Sequence, residues 1–259
     1  NLRFDLSGGV KVQQFNREEP ISVFINDFST LLFERNYLKA YDLSFAQVKY
    51  SQEIVNGLKI SARVGYEERK PLFNETDQVF IPAKGISYTS NNPLNPDDFV
   101  TAAIDSHKIY KAKLTANIRF KQKYFSNPNM KINRDNNKYP KLDLSLENGF
   151  GASNLNYNYT QLQAGIKQEV AMSNKGVFYY NLKAGTFFNS DNISFADFQH
   201  FNGNQTRVGT SGNYTNVFNL LPYYQLSTNK SYAEGHMEHD FRGFILGKIP
   251  GINQLNFNL

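Results

Sequence analysis

The residues with the strongest metal-binding chemistry lie together in the run His236-Met237-Glu238-His239-Asp240. The zinc motif of helical metalloproteases places its two histidines four residues apart, whereas His236 and His239 are three residues apart. On a strand, His236, Glu238 and Asp240 would lie on one face and His239 on the other. Such a face could hold a cation, but a hydrated polar wall paired with basic neighbours is the simpler interpretation. We therefore assign no metal site.

The sequence predicts no catalytic centre. It contains no cysteine, which excludes disulfides and thiolate metal sites. A Ser-His-Asp centre would need a serine and a carboxylate near one of the four histidines, and no local motif marks such a set. Phosphate-binding and dinucleotide-binding motifs are absent as well. We expect a non-enzymatic protein without a cofactor.

Ionisable side chains recur on one face of three predicted strands. The basic set comprises Lys59, Arg63, Lys111, Lys113 and Arg119, and the later, mainly acidic set comprises Glu234, His236, Glu238, Asp240 and Arg242. In a closed barrel the two sets would face each other across the interior. We hypothesise that the resulting field orients charged solutes or anchors a plug by ion pairs. Mutual neutralisation in a sealed lumen is the alternative.

The elements that must position these side chains are β-strands, because apolar and polar residues alternate along much of the chain. From Leu2 to Val12 the even-numbered residues are apolar or glycine, and the odd-numbered residues are polar or glycine. The pattern predicts strands at about 2–12, 43–54, 58–67, 110–121, 141–147, 161–170, 180–188 and 232–243, with a ninth, incomplete strand after the turn at 249–251. Asn56-Gly57 predicts a tight hairpin. The spacing of Phe24, Phe28, Leu31 and Leu32 predicts a short helix.

The connections alternate in length, which is typical of outer-membrane barrels with short periplasmic turns and long extracellular loops. Long loops are predicted at about 16–41, 68–106 and 189–230, and short links follow the second, sixth and eighth strands. The lysine-rich stretch 122–139 is interpreted as a basic, solvated turn, with contact to an acidic partner as the alternative. Several predicted strands reach about 10 residues, the length that a tilted membrane strand needs.

Composition fits the same interpretation. The 259 residues carry a net charge of +5 and a mean hydropathy of −0.52, and no window of 18 apolar residues occurs. In the strands of a membrane barrel, apolar residues alternate with polar ones, so a low mean hydropathy does not exclude a barrel. Dispersed lysine and arginine argue against a nucleic-acid partner. Because alternation runs to both ends and the strand count is odd, we expect residues 1–259 to be a single segment, truncated at both ends, of a larger even-numbered barrel.

Several motifs resemble a known family. They are the stretches 218–229 (Phe-Asn-Leu-Leu-Pro-Tyr-Tyr-Gln-Leu-Ser-Thr-Asn), 232–239 and 241–250, together with 57–74, 122–124, 138–140 and 200–206. They are similar to outer-membrane proteins of unknown function that carry an N-terminal carboxypeptidase-regulatory-like domain. The resemblance implies a large outer-membrane barrel and no catalytic residues. The family is distantly similar to surface-antigen barrels that insert or translocate proteins, whose V/I-R-G-F/Y motif is nearest to Phe241-Arg242-Gly243-Phe244 here.

The expected fold class is therefore all-β, an antiparallel transmembrane β-barrel in the bacterial outer membrane. The expected role is a transport, translocation or outer-membrane assembly component. Its expected partner is the lipid bilayer, with other outer-membrane or periplasmic proteins as further candidates. A TonB-dependent-type uptake barrel, an outer-membrane hydrolase and a soluble β-sandwich binding module are the alternatives.

Overall fold

A computed structural model describes residues 2–75, 77–82, 85–127, 130–134, 136–206, 214–245 and 248. The strands are β1 (Leu2–Gln14), β2 (Ala40–Val55), β3 (Leu58–Pro71), β4 (His107–Arg119), β5 (Lys123–Asn127), β6 (Met130–Arg134), β7 (Lys141–Phe150), β8 (Tyr159–Ala171), β9 (Val177–Phe188) and β10 (Tyr232–Asp240), and the one α-helix, α1, is Val23–Phe33. Within these residues no helix has the length and apolar character needed to cross a membrane.

Eight of the strands form one antiparallel sheet in the order β1-β2-β3-β4-β7-β8-β9-β10. The first eight predicted strands and the predicted helix are thereby confirmed, whereas the ninth predicted strand lies outside the described residues. Every strand in this sheet pairs with the sheet strand that precedes or follows it along the chain. In the described part of the chain β1 and β10 are the two edges of the sheet, so closure into a barrel stays a prediction.

The stretch 122–139 is not the simple turn that the sequence predicted, because it contains two short strands. Lys123–Asn127 and Met130–Arg134 pair as β5 and β6 in a separate two-stranded hairpin. Alternation was hard to recognise here because the segments are only five residues long and rich in lysine and asparagine. The hairpin is inserted between β4 and β7, which pair directly with each other in the main sheet.

The two faces of the sheet differ sharply in chemistry. The apolar face carries exposed side chains from all eight strands, among them Leu6, Val48, Val64, Leu114, Leu144, Leu162, Leu182 and Met237. Leu6, for example, is 76% exposed. The polar face carries the alternate residues: the registers place Lys49, Arg63, Lys113 and Glu147 in one row, and Glu234 opposite Lys183. A contiguous apolar surface of this size marks a contact with something other than water.

Connections of different length lie at the two ends of the sheet. Residues 56–57 and 172–176 turn tightly at one end, which we call the turn end. The described parts of the long connections 15–39, 72–106 and 189–231 lie at the opposite end, the loop end, as the sequence predicted. There they fold back over the polar face and form the buried core, whose two clusters comprise Phe15, Tyr41, Leu43, Ile104, Phe195 and Ala196, and Ile109, Ala152, Tyr159, Phe187, Ile193 and Tyr232.

Candidate functional site

A buried group of charged side chains lies where the loop 189–206 covers the polar face. We call it the charge cluster; it comprises Arg17, Glu67, Arg69, Lys111, Glu147 and Asp197. Four of these side chains come from strands β3, β4 and β7, and Arg17 and Asp197 come from loops. The cluster therefore ties two loops to the wall of the sheet.

Asp197 is the centre of the cluster, and its side chain is fully buried. Its Oδ2 accepts a hydrogen bond from Arg69 Nη1 at 2.6 Å, and its Oδ1 accepts one from Arg17 Nη2 at 2.6 Å. Lys111 Nζ also donates to Oδ1, and the Tyr159 hydroxyl oxygen lies 3.1 Å from it. One carboxylate thus pairs with three cations, which makes up for the loss of its water.

Glu147 is a second buried carboxylate, at the middle of the polar face. Arg17 Nη1 donates to its Oε1 at 3.0 Å and the Tyr159 hydroxyl at 2.7 Å. Lys113 Nζ lies 3.2 Å and Arg63 Nη2 lies 3.7 Å from its Oε2. Arg17 therefore bridges the strand carboxylate Glu147 and the loop carboxylate of Asp197.

The register of the strands explains why these groups meet. Lys111 lies opposite Gly149 of β7, and Gly149 lies opposite Tyr159 of β8. A Cβ at Gly149 would come within 2.6 Å of the Tyr159 ring, so only glycine leaves room for this ring beside Lys111. The Lys111 ammonium lies 5.7 Å from the centre of the same ring. Glycine on the wall thus gives the tyrosine access to both carboxylates.

Electrostatics keeps the Asp197 carboxylate charged. Burial by itself would raise the pKa of Asp197, but the charges of Arg69 and Lys111 outweigh it and hold that pKa well below its usual range. The covering loop is thereby held by an ion-pair network at any pH near neutrality. Lowering of a buried carboxyl's pKa by cations indicates a stabilising, structural role for the charge.

His200 fastens the same loop from the other side. Its Nε2 donates to the Phe195 carbonyl at 3.0 Å, and its Nδ1 lies 2.7 Å from Ser227 Oγ. Burial lowers the pKa of His200 to about 3, so the ring is neutral. In the described part of the chain no carboxylate bonds to this imidazole, so the pair lacks the third member of a hydrolase triad.

The predicted basic set is divided among several acidic partners. Lys111, Lys113 and Arg63 surround Glu147, and Lys111 also reaches Asp197. Arg119 pairs with Asp143 at 3.2 Å, nearer the turn end. Lys59 is exposed and forms no ion pair within the described residues. Lys111, Lys113 and Arg63 are therefore neutralised by Glu147 and by Asp197 of the loop. The sequence had instead predicted the acidic residues of the eighth strand as their partners.

The predicted acidic set lies along β10 and just after it, and its members contact residues that are close to them on the sheet or in the adjoining loop. Glu234 pairs with Lys183 of β9 at 2.8 Å, and Asp240 lies 3.8 Å from Arg242. The ring of His236 packs against Phe218 with centroids 4.3 Å apart, while Glu238 is half-buried opposite Tyr179. Of the residues described, no three His, Asp or Glu form a group that could hold a metal ion.

Sequence reasoning missed the residues at the centre of the cluster, namely Arg17, Glu67, Arg69, Glu147 and Asp197. Glu67 and Glu147 lie at polar-face positions of predicted strands. Nothing in the alternation distinguishes these two carboxylates from polar residues that face water. Asp197 had a usable signal, because it is the single acid in the otherwise uncharged stretch 193–198. A lone charge in such a stretch is buried only when it is paired.

A water-accessible cavity continues along the polar face towards the turn end. Its volume is about 350 Å³, and its walls come from β4, β7, β8 and β9. The lining includes Lys113, Asp143, Gln163, Lys167, Asn181 and Lys183. Charges of both signs alternate with amides there, so this face is built for contact with water.

Comparison with known proteins gives one family. The model described as "Family of unknown function (DUF5686) C-terminal domain" matches residues 1–259. No curated protein matches the chain, and no solved structure matches it. The predicted resemblance to a family of unknown function is confirmed at this level. The carboxypeptidase-regulatory-like domain and the similarity to surface-antigen barrels stay predictions.

Proposed function

The chain belongs to the DUF5686 C-terminal domain family, and from this premise we propose that it forms part of the wall of an outer-membrane β-barrel. In this proposal the apolar face contacts lipid and the polar face lines the lumen. The protein acts without enzymatic chemistry, as a transport, translocation or assembly component. Its bilayer is the bacterial outer membrane.

The observation that carries the proposal is the apolar face that runs across all eight strands with nothing packed on it among the described residues. Leu114 of β4, Leu146 of β7 and Leu162 of β8 are neighbours in the register and are all exposed. In water such a surface would drive association, whereas in lipid it is the solvent-facing side of a strand. Lipid also leaves no water for backbone groups at a free edge, so the proposed wall includes further strands beyond β1 and β10.

The polar face supports a wet interior. A membrane barrel alternates apolar residues outward with polar residues inward, and its lumen holds charged side chains in water or in ion pairs. The cavity beside Lys113 and Asp143 fits a lumen, as do the ionic contacts around Glu147. A sandwich would instead bury one apolar face against a second sheet.

The loop 189–206 gives the proposed lumen a plug. It lies over the polar face at the loop end, where Asp197 pairs with Arg69 and Lys111 of the wall. The ion pairs between this carboxylate and the cations of the wall can be broken, since their strength depends on charge and on the exclusion of water. We propose that passage of cargo requires this loop to leave the wall.

Single-cysteine labelling tests the orientation of the two faces, because residues 1–259 contain no cysteine. Any cysteine elsewhere in the full-length protein is first replaced by serine. Leu144 and Ser145 are consecutive residues of β7 on opposite faces. In the full-length protein reconstituted in liposomes, a Leu144→Cys variant should react with a lipid-soluble maleimide and be protected from a charged thiosulfonate. A Ser145→Cys variant should show the reverse preference.

The same pair separates the other candidate functions. Equal reactivity of both cysteines with the charged reagent, in protein that stays monodisperse without detergent, would overturn the membrane proposal in favour of a soluble binding module. For a hydrolase, the relevant test is labelling of Ser227 by a fluorophosphonate, and we expect no such labelling because His200 lacks a carboxylate partner.

A further inference from the structure

The β5–β6 hairpin extends from the turn end of the sheet and presents two unlike faces. Cross-strand pairs Phe125↔Ile132 and Lys123↔Arg134 share one face, which we call the open face. Tyr124 and Lys131 belong to the opposite face, which we call the tethered face. A two-stranded hairpin alone is marginally stable in water, so the contacts of both faces matter.

The tethered face is fixed to the turn between β2 and β3. Lys131 Nζ donates to Glu53 Oε1 at 2.8 Å and to Asn56 Oδ1 at 2.9 Å. The same ammonium lies 4.6 Å from the centre of the Tyr124 ring. Glu53 lies on the polar side of the sheet, opposite Lys59 in the register. The tethered face is therefore held by the turn and by a polar-face residue of β2.

The open face is the side of the hairpin without such contacts among the described residues. Phe125 is 61% exposed and Ile132 is 46% exposed, so this apolar pair has no cover from the described chain. Phe120, which follows β4 directly, is exposed as well. The open face thus continues the apolar surface beyond the ends of the main strands.

Among the described residues, the cations of the open face have no acidic partner. Lys123 and Arg134 lie directly opposite each other, both are exposed, and neither forms an ion pair within the described residues. Like charges placed opposite one another on a hairpin are destabilising. An external anion between them would remove the repulsion, and an apolar layer would cover Phe125 and Ile132. The complementary surface is therefore anionic with an apolar layer behind it.

We propose that the open face docks on the anionic phospholipid headgroups of the leaflet next to the turn end. This inference rests on the proposed membrane location of the sheet. Phe125 and Ile132 enter the boundary between headgroups and acyl chains, and Lys123 and Arg134 bind the phosphates. Continuity with the apolar face favours a lipid surface over an acidic protein segment, which is the competing occupant.

Tryptophan fluorescence tests the proposal, because residues 1–259 contain no tryptophan. Any tryptophan elsewhere in the full-length protein is first replaced by phenylalanine. Three variants of the full-length protein are reconstituted in bilayers that contain phospholipid brominated near the ester end of its acyl chains. Phe125→Trp reports the open face, Tyr124→Trp the tethered face, and Leu144→Trp the apolar face of the sheet. We expect quenching of the tryptophans at 125 and 144 and little at 124.

The three reporters distinguish failure of this inference from failure of the proposed function. Quenching at 144 without quenching at 125 would overturn the docking of the hairpin and leave the membrane wall intact. Absence of quenching at both positions would overturn both. A blue shift at 125 that appears only when a polyglutamate peptide is added would assign the open face to an acidic protein partner instead.

The charge requirement is tested in the Phe125→Trp background. Quenching by brominated anionic lipid should exceed quenching by brominated zwitterionic lipid, and the K123Q/R134Q double variant should lose this excess. The control R35Q/K108Q removes one arginine and one lysine from the loop end and should keep it. An excess that survives K123Q/R134Q, or that disappears equally in the control, would overturn the role of the two cations.

Discussion

Replacing Asp197 by asparagine should release the loop 189–206 from the polar face. The variant keeps the size and one acceptor oxygen of the side chain. It removes the charge that pairs with the buried Arg69 and Lys111 and with Arg17, whose side chain is 39% exposed. Breaking a buried ion pair by removing one partner costs about 3–5 kcal/mol. Because asparagine retains some hydrogen bonds, we expect a loss near the lower limit, about 3 kcal/mol.

A cysteine at position 194 measures this loss directly. Ser194 is buried in the same loop, and its hydroxyl has no hydrogen-bond partner, so Ser194→Cys is a mild change. When the loop closes faster than the thiol reacts, the rate of modification by a water-soluble maleimide reports the population of the open loop. A loss of about 3 kcal/mol corresponds to a labelling rate on the order of 10²-fold faster.

Asp191 provides the matched control in the same loop. Its side chain is 82% exposed and pairs with Lys230, whose side chain is 64% exposed. Exposed pairs contribute about 0–1 kcal/mol, so Asp191→Asn should change the labelling rate by less than about fivefold. Slow labelling in the Asp197→Asn background, or equal acceleration by both substitutions, would refute the assignment of Asp197 as the lock of this loop.

Two further predictions concern pH and the turn end. Because burial lowers the pKa of His200 from 6.5 to about 3, the docked loop binds fewer protons than the open loop between these values. Docking should therefore weaken as pH falls below 6.5, by about 2 kcal/mol at pH 5. The labelling rate of the cysteine at 194, divided by the rate for the urea-unfolded protein at the same pH, should then rise, because this ratio removes the loss of reactive thiolate at low pH. In a His200→Gln variant this pH dependence of labelling should disappear. A pH dependence that persists in the variant would show that another group causes it. At the β2–β3 turn, Gly57 has φ +86°, and a Cβ there would lie 2.2 Å from the Arg119 carbonyl oxygen. Gly57→Ala should lower the free energy of unfolding, measured by urea titration in liposomes, by about 1–3 kcal/mol. The control Gly165→Ala, whose Cβ would lie 3.6 Å from its nearest neighbour, should lower it by about 0.5 kcal/mol or less. Equal losses would contradict the steric argument.

Local alternation was sufficient to find the strands of the main sheet. In β4, for instance, Leu114 and Thr115 alternate between the two faces, and the period of two is visible without any knowledge of the partners. Asn56-Gly57 likewise marked its turn, because a positive φ at Gly57 is a property of the residue itself. The β5–β6 hairpin escaped detection because segments of five residues contain too few repeats to establish a period.

The charge cluster could not be found in the same way. Lys111 was recognised as a polar-face cation, but its partner Asp197 lies 86 residues further along the chain. Arg17 and Asp197 are 180 residues apart, and each lies in a loop that carries no regular period. Which carboxylate meets which cation depends on how these loops fold over the sheet.

The sequence by itself therefore determined the two faces, the strand ladder and the contrast between short turns and long loops. These features follow from the local geometry of an extended chain, in which successive side chains point to opposite sides. The tertiary structure alone decided that Asp197 closes over Arg69 and Lys111, and that the open face of the hairpin stays uncovered. Such contacts join residues distant along the chain, and burial and charge pairing select them only once the loops have closed.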